Sequence, residues 1–476
     1  MNRSFRVLII ILVPFFFISC EKEHGPGDPA DIPKGSFYDV LVESGVDVNN
    51  DGSISYAEAE QVTVLIISGK GLSSLKGIEA LVNLESLLCQ ENNLATLDLS
   101  KNVKLKDLDC SNNQIRSLDI SNNTDIENLN CSYNQISYFG IGSNSHLLNL
   151  DCSNNVISDL SLPQCNEMRS LNCENNKLTF LDVSDKKYLS TLNCRDNLLT
   201  NLVLSNDTAM ITLDIYSNQL TSLAISQMKG LSILYCGSNS LSVLDVSKNT
   251  ALTVLNCEQN NLTSLDISEN SVLRSLMCNN NHITSLNVSN KTALTSLTCS
   301  FNNLTSLVVE DNPTLWMIDC ESNQLASLDV SKNPQMEILF CNRNQLTTLD
   351  VSNNPDLYLL FCHKNQLSSL NLTENTKLEF LQCEENLLSS LDLKNLTRLS
   401  KLYCGQNLLS SLDISGNTLL GPSGSFYFSQ YPLNLSLTDM PSLQQVCVWT
   451  LPFPPEGVEV DTTGSPNIYF TTECGK

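Results

Sequence analysis

The chain has 476 residues, 51 of them Asp or Glu against 27 Lys or Arg, for a formal net charge of −24. So acidic a chain will not hold nucleic acid or an anionic membrane surface by charge. Its four histidines are scattered, and G-x-S-x-G, H-E-x-x-H and phosphate-loop motifs are missing, so no enzymatic chemistry is expected.

Residues 1–19 place Arg3 and Arg6 before an apolar run from Val7 to Ile18, with Ser19 before Cys20. The run is too short for a membrane span and a polar segment follows, the pattern of an export signal. Phe17-Ile18-Ser19-Cys20 resembles a bacterial lipobox. That resemblance implies cleavage before Cys20, lipidation of its thiol and an outer membrane lipoprotein. Glu21-Lys22-Glu23 is similar to the surface-export tag of Bacteroidetes lipoproteins, which implies display at the cell surface. Membrane contact is then expected through the lipid anchor alone. Residues 20–36 are rich in Pro and Gly and are expected to form a tether.

Residues 37–83 form an N-terminal cap in this reading. Asp47-Val48-Asn49-Asn50-Asp51-Gly52-Ser53-Ile54-Ser55-Tyr56-Ala57-Glu58 matches a twelve-residue EF-hand loop. Oxygen ligands fall at Asp47, Asn49, Asp51 and Glu58, Ser53 offers its carbonyl, and Gly52 sits where the chain must bend. Calcium is the expected ion, held as a structural staple because the loop is single. From Val62 the sequence resembles a degenerate first repeat, as a terminal cap requires.

From residue 84 to 419 a 21-residue unit repeats about sixteen times without insertion. Its third apolar slot holds Cys89, Cys110, Cys131 and so on to Cys404, with Ile215 as the one exception, and an asparagine follows three residues after every slot, from Asn92 to Asn407. A fixed period of this length means a stacked solenoid. The unit L-x-x-L-x-C-x-x-N-x-L followed by L-D-V-S-x-N resembles the leucine-rich repeat family. The fold class expected is therefore a β-rich repeat solenoid of parallel strands with terminal caps. The asparagines are expected to bond backbone left unpaired at the turn. The ladder cysteines are expected to be buried free thiols, since no C-x-x-C pair offers a zinc site.

Residues beside the inward Leu and Cys point outward. Early repeats place Asp109, Asn130, Asp151, Asn172, Asn193 and Asp214 there; later ones place aromatic and aliphatic groups. Trp316, Met317, Ile338, Phe340, Tyr358, Phe361, Phe380 and Tyr403 form the expected partner surface, since an exposed apolar patch marks an interaction site and flat rings suit protein or sugar. Asp98, Asp119 and their equivalents on the other half-repeat are expected to brace turns.

Residues 420–476 lose the period and are expected to form a β cap, with Cys447 and Cys474 pairing as exported chains commonly staple small elements. Asp207-Thr208-Ala209 and Asp461-Thr462-Thr463 resemble Bacteroidetes O-glycosylation triads. The expected function is an envelope-anchored binding protein for a protein or glycan. A self-associating homodimer and a glycan-capturing accessory of an uptake system are the alternatives.

Overall fold

The computed structural model describes residues 24–205, 209–421 and 433–474. The export signal, Cys20 and the acidic tag lie outside them, as does most of the Asp207 triad. The chain is a leucine-rich repeat solenoid. Nineteen short strands form one parallel sheet that follows chain order from Val64–Ile66 to Val460–Asp461. A constant period leaves no slack for slippage. Leu87 therefore stands beside Leu108, Leu108 beside Leu129, and the register continues to Leu402.

Most turns bury the same set, with Phe139, Leu202, Leu204 and Leu223 only partly covered. In the first full repeat Leu84, Leu87, Cys89, Leu94 and Leu99 have no exposure, and Leu97 has little. All fifteen ladder cysteines and Cys165 are buried free thiols, and Ile215 fills its slot equally well. After each Cys the chain bends through a left-handed residue, for example Glu91 (φ 58°), Phe301 (φ 53°) and Arg343 (φ 55°). Bulky residues are disfavoured there, and the asparagine that follows holds the bend. Asn260 Nδ2 donates to the carbonyls of Cys236, Cys257 and Glu258, and its Oδ1 accepts the amide of Leu241.

The other half of the repeat carries shorter ladders, such as Ser117–Asp119 with Tyr138–Gly140 and Ser411–Asp413 with Gln445–Cys447. Its aspartates close local turns: the Oδ1 atoms of Asp98, Asp245 and Asp329 accept the amides of Ser100, Ser247 and Ser331. A second asparagine ladder runs beneath, from Asn102 to Asn417. Each of these side chains donates to carbonyls of the preceding turn, as Asn270 does to Val246 and Asn249.

At the front, helix α1 (Ser36–Glu43) and helix α2 (Tyr56–Ala59) flank the Asp47–Glu58 loop, and Val64–Ile66 starts the sheet against Ser86–Leu88. The segment from His24 to Gly35 departs from the tether expected of it. Pro29 bridges Ser55 antiparallel, the Ala30 amide donates to the Ile54 carbonyl, and the Tyr56 and Ala57 amides donate to Asp28 and Pro26. Ile32 is buried beside Gly77, where a Cβ would come within 2.8 Å of it. Proline and glycine remove helix and strand propensity, but they leave carbonyls free to bond a neighbouring loop. At the far end Leu435 stacks on Leu402 and Val460 on Leu435, so the residues from 433 add two wider turns to the solenoid.

Candidate functional site

The outward face of the long sheet carries two parallel rows. One runs Met317, Ile338, Leu359, Phe380 and Lys401; the other runs Asp319, Phe340, Phe361, Gln382 and Tyr403. The structure divides the expected partner surface in two. Trp316 is 38% exposed, and Met317, Ile338, Phe340 and Tyr358 are half-buried. Phe361, Phe380 and Tyr403 do not face solvent, which corrects their assignment to an open surface. Phe380 has no exposure at all, and Phe361 and Tyr403 have less than a tenth.

The reason is packing by the chain on itself. Ring centroids step along the face at 4.9 Å from Phe340 to Phe361, 4.9 Å to Phe380 and 5.3 Å to Tyr403. Leu433 packs against this stack, and its carbonyl accepts bonds from Lys401 Nζ (2.8 Å) and Tyr403 Oη (3.0 Å). Edge-to-face aromatics of this kind are core material.

The early half of the face is polar. A groove of about 670 Å³ is lined by Asp107, Asp109, Asn128, Asn130, Asn149, Asp151 and neighbours. Their side chains bond from strand to strand: Asn128 donates to Asp107 (2.7 Å), Asn149 to Asn128 (2.7 Å) and Asn172 to Asp151 (3.1 Å). The alternation of Asp and Asn in the slot before Cys was visible in the sequence. The volume of the groove was not.

Burial shapes the ionisation of this face. It pushes the carboxyls of Asp214 and Asp319 above the usual range. It pushes His363 down to about 4, helped by Arg343 and Lys364, so the imidazole is neutral at pH 7. The thiols move up for the same reason, Cys89 and Cys236 to about 12, which makes them poor nucleophiles and poor ligands.

The Asp47–Glu58 loop at the front is closed by bonds within itself. Asn50 (φ 57°) and Gly52 (φ 78°) make the bend. The Asp51 and Gly52 amides donate to the Asp47 carboxylate, the Asp51 amide also to Asn49 Oδ1, and the Ser53 amide to Asp51 Oδ1. Glu58 reaches back across the loop. Its Oε2 accepts the Ser55 amide and hydroxyl, and its Oε1 accepts the Val48 and Asn49 amides. The bonds from Ser55 hold its carboxyl below the usual range.

Asp47 and Glu58 are both buried, and among the described residues no Lys, Arg or His pairs with either. Two buried carboxylates without a protein cation, among further oxygen donors, fit a hard divalent ion. Asp47, Asn49, Asp51, Ser53 and Glu58 are the residues that would hold it. Among the described residues three potential Asp, Glu, His or Cys ligand atoms lie within 4.8 Å of one another only at Asp413, Cys447 and Cys474. That group is no metal centre, because Cys447 and Cys474 are joined in a disulfide (Cα–Cα 5.7 Å) that ties the last two turns.

The fold and its stacked thiols place the molecule among leucine-rich repeat solenoids with a cysteine ladder, a fold that typically serves as a binding scaffold. No protein-family model matches the chain, and no curated protein matches it. Solved structures do. The functional domain of InlJ from Listeria monocytogenes, which includes a cysteine ladder, is 28% identical (TM-score 0.65), over 81% of this chain and 83% of that one. A leucine-rich repeat protein of Leptospira interrogans is 23% identical (TM-score 0.60), over 74% and 92%. The plant peptide hormone receptor RGFR1, solved in complex with RGF2, is 18% identical (TM-score 0.67), over 87% and 84%.

Proposed function

We propose that this chain is an envelope-anchored leucine-rich repeat protein that binds a partner protein across the outward face of its long sheet. The observation that carries this reading is the apolar window of Trp316, Met317, Ile338, Phe340 and Tyr358, which keeps solvent access where the neighbouring aromatics are covered. Exposed aromatic groups on a rigid sheet cost little entropy to bind with. The leucine-rich repeat neighbours, one of them solved with its ligand, support the same use. In this reading the protein is exported, lipidated at Cys20, held at the outer membrane and displayed at the cell surface. Calcium occupies the Asp47–Glu58 loop and stiffens the front cap.

A glycan partner is the second reading, favoured by the carboxylate and amide rows of the early groove, which suit sugar hydroxyls. One screen separates the readings. Purified protein is tested against extracellular proteins and oligosaccharides, beside the Trp316→Ala/Phe340→Ala variant. A protein hit weakened at least tenfold by the double change supports the proposal. A glycan hit that ignores that change and is lost in Asp109→Ala/Asn130→Ala supports the second reading. A protein hit insensitive to both overturns the placement of the site. Sedimentation across a concentration series shows whether the window instead joins two copies of this chain.

A further inference from the structure

The segment behind the lipidated cysteine is bonded to the calcium loop, and we propose that calcium latches it there. On this view the ion sets how far the solenoid stands from its membrane anchor. The inference rests on the calcium and anchor readings above and adds a regulatory consequence to them.

The contact is a backbone one. Ala30 donates to the carbonyl of Ile54 at 2.8 Å, inside the loop itself. Tyr56 and Ala57, which open α2 just before Glu58, donate to the carbonyls of Asp28 and Pro26. His24 stacks on the Tyr56 ring at 4.2 Å, and the Tyr56 hydroxyl donates to Asp31. These partners lie between Ile54 and Ala57, and Ile32 adds a buried contact beside Gly77. The Ile54–Ala57 stretch runs directly from the loop before it to Glu58 after it.

Loop geometry supplies the coupling. Ser53 and Glu58, which would hold the ion, bracket the Ile54–Ala57 stretch on which the segment lies. A divalent cation in the loop would fix both ends of that stretch. Without it, the stretch can shift under the segment laid on it. Anything that holds the loop's native shape favours docking. By linkage, docking must favour calcium by the same factor.

The consequence is one of reach. Only three residues, Glu21 to Glu23, separate Cys20 from His24, so with the segment docked the front cap can stand no further than about 14 Å from the anchor, four steps at about 3.3–3.6 Å each. Release of His24 to Gly35 adds twelve residues, a further 40 Å or so at the same extension. The binding face would move from beside the membrane to well beyond it.

The test uses the full lipidated chain in detergent micelles, with calcium chloride as the ligand. Two quantities are measured: calcium binding by calorimetry, and amide hydrogen exchange of residues 24–35 with calcium or with chelator. The latch predicts binding together with at least tenfold slower exchange of the Ala30 and Tyr56 amides in calcium. Ala30→Pro, which removes the donor to Ile54 and touches no loop ligand, should raise the calcium Kd by the same factor by which it speeds exchange of the segment. Binding with unchanged exchange overturns the latch and leaves the calcium site standing. No binding overturns the calcium reading, and the latch falls with it.

Discussion

The two asparagine ladders look alike in sequence and do different amounts of stabilising. Asn260 is satisfied on both sides of its amide. Its Oδ1 accepts the Leu241 amide at 2.9 Å, and its Nδ2 donates to Cys236 (3.0 Å), Cys257 (3.2 Å) and Glu258 (3.1 Å). Asn260→Leu keeps the volume but leaves the Leu241 amide buried and unpaired, about 1–3 kcal/mol by itself, and removes donors worth about 1 kcal/mol more. A total near 3 kcal/mol is expected. Asn270 donates only to Val246 and Asn249, and those carbonyls also accept the amides of Asn249 and Leu252. Its Oδ1 is buried without a partner. Asn270→Leu therefore deletes an unsatisfied oxygen along with two bonds, and should cost about 1 kcal/mol or less. The chain itself varies in this way, with Met228 and Leu396 in the second ladder and asparagine at all sixteen positions of the first. Urea unfolding by circular dichroism, with hydrogen exchange at Leu241, measures both variants. If Asn270→Leu costs as much as Asn260→Leu, the assignment of the turn to the first ladder is refuted.

Alkaline stability should fall steeply. An unfolded thiol ionises near pH 9 while Cys89, Cys236, Cys278 and Cys362 are pushed up to about 12 by burial. The stability they confer is whole below pH 9 and is lost toward 12, at about 1.4 kcal/mol per buried thiol per pH unit; urea midpoints between pH 8 and 11 test it, and a flat profile would count against it. Reducing the Cys447–Cys474 bond, which spans 27 residues, should loosen the last turns by about 3.5 kcal/mol. Exchange at Tyr469–Thr471 should quicken while Leu402 is unaffected. Glu58→Gln keeps the capping box with Ser55 but removes a loop charge. It should abolish a calcium-induced rise in Tm and also lower the Tm in chelator, because the new amide NH2 then faces the Val48 and Asn49 amides that Oε1 accepted.

The sequence makes the repeated part of this molecule legible because the period does the alignment. Once Cys89 through Cys404 are spaced at 21 without a gap, strand register, the inward side and the asparagine turn all follow from geometry. The fates of Phe361, Phe380 and Tyr403 do not follow from it. Alternation tells which side of a strand they leave, but Leu433 reaches them from a later part of the chain where the period is broken. The segment from His24 to Gly35 was opaque for a related reason. Its composition denies it helix and strand, yet its fate depends on which carbonyls and amides the Ile54–Ala57 stretch presents.

The covered stack also bears on how a partner can be bound. After Tyr358 the apolar face is occupied by the chain itself, and before Trp316 most outward side chains are polar. The open apolar window therefore spans about three strands, some 10–15 Å at the spacing of a sheet. A stable protein interface needs about 800 Å² on each side, more than such a window can offer. A partner seated there must also cover the polar groups beside it, among them Ser296, Thr298, Asp319 and Glu321. The aromatic window would then supply most of the binding energy, and the carboxylates would select for positive charge. Binding should consequently weaken with salt mainly through the association rate, and truncating Trp316 should act mainly on dissociation.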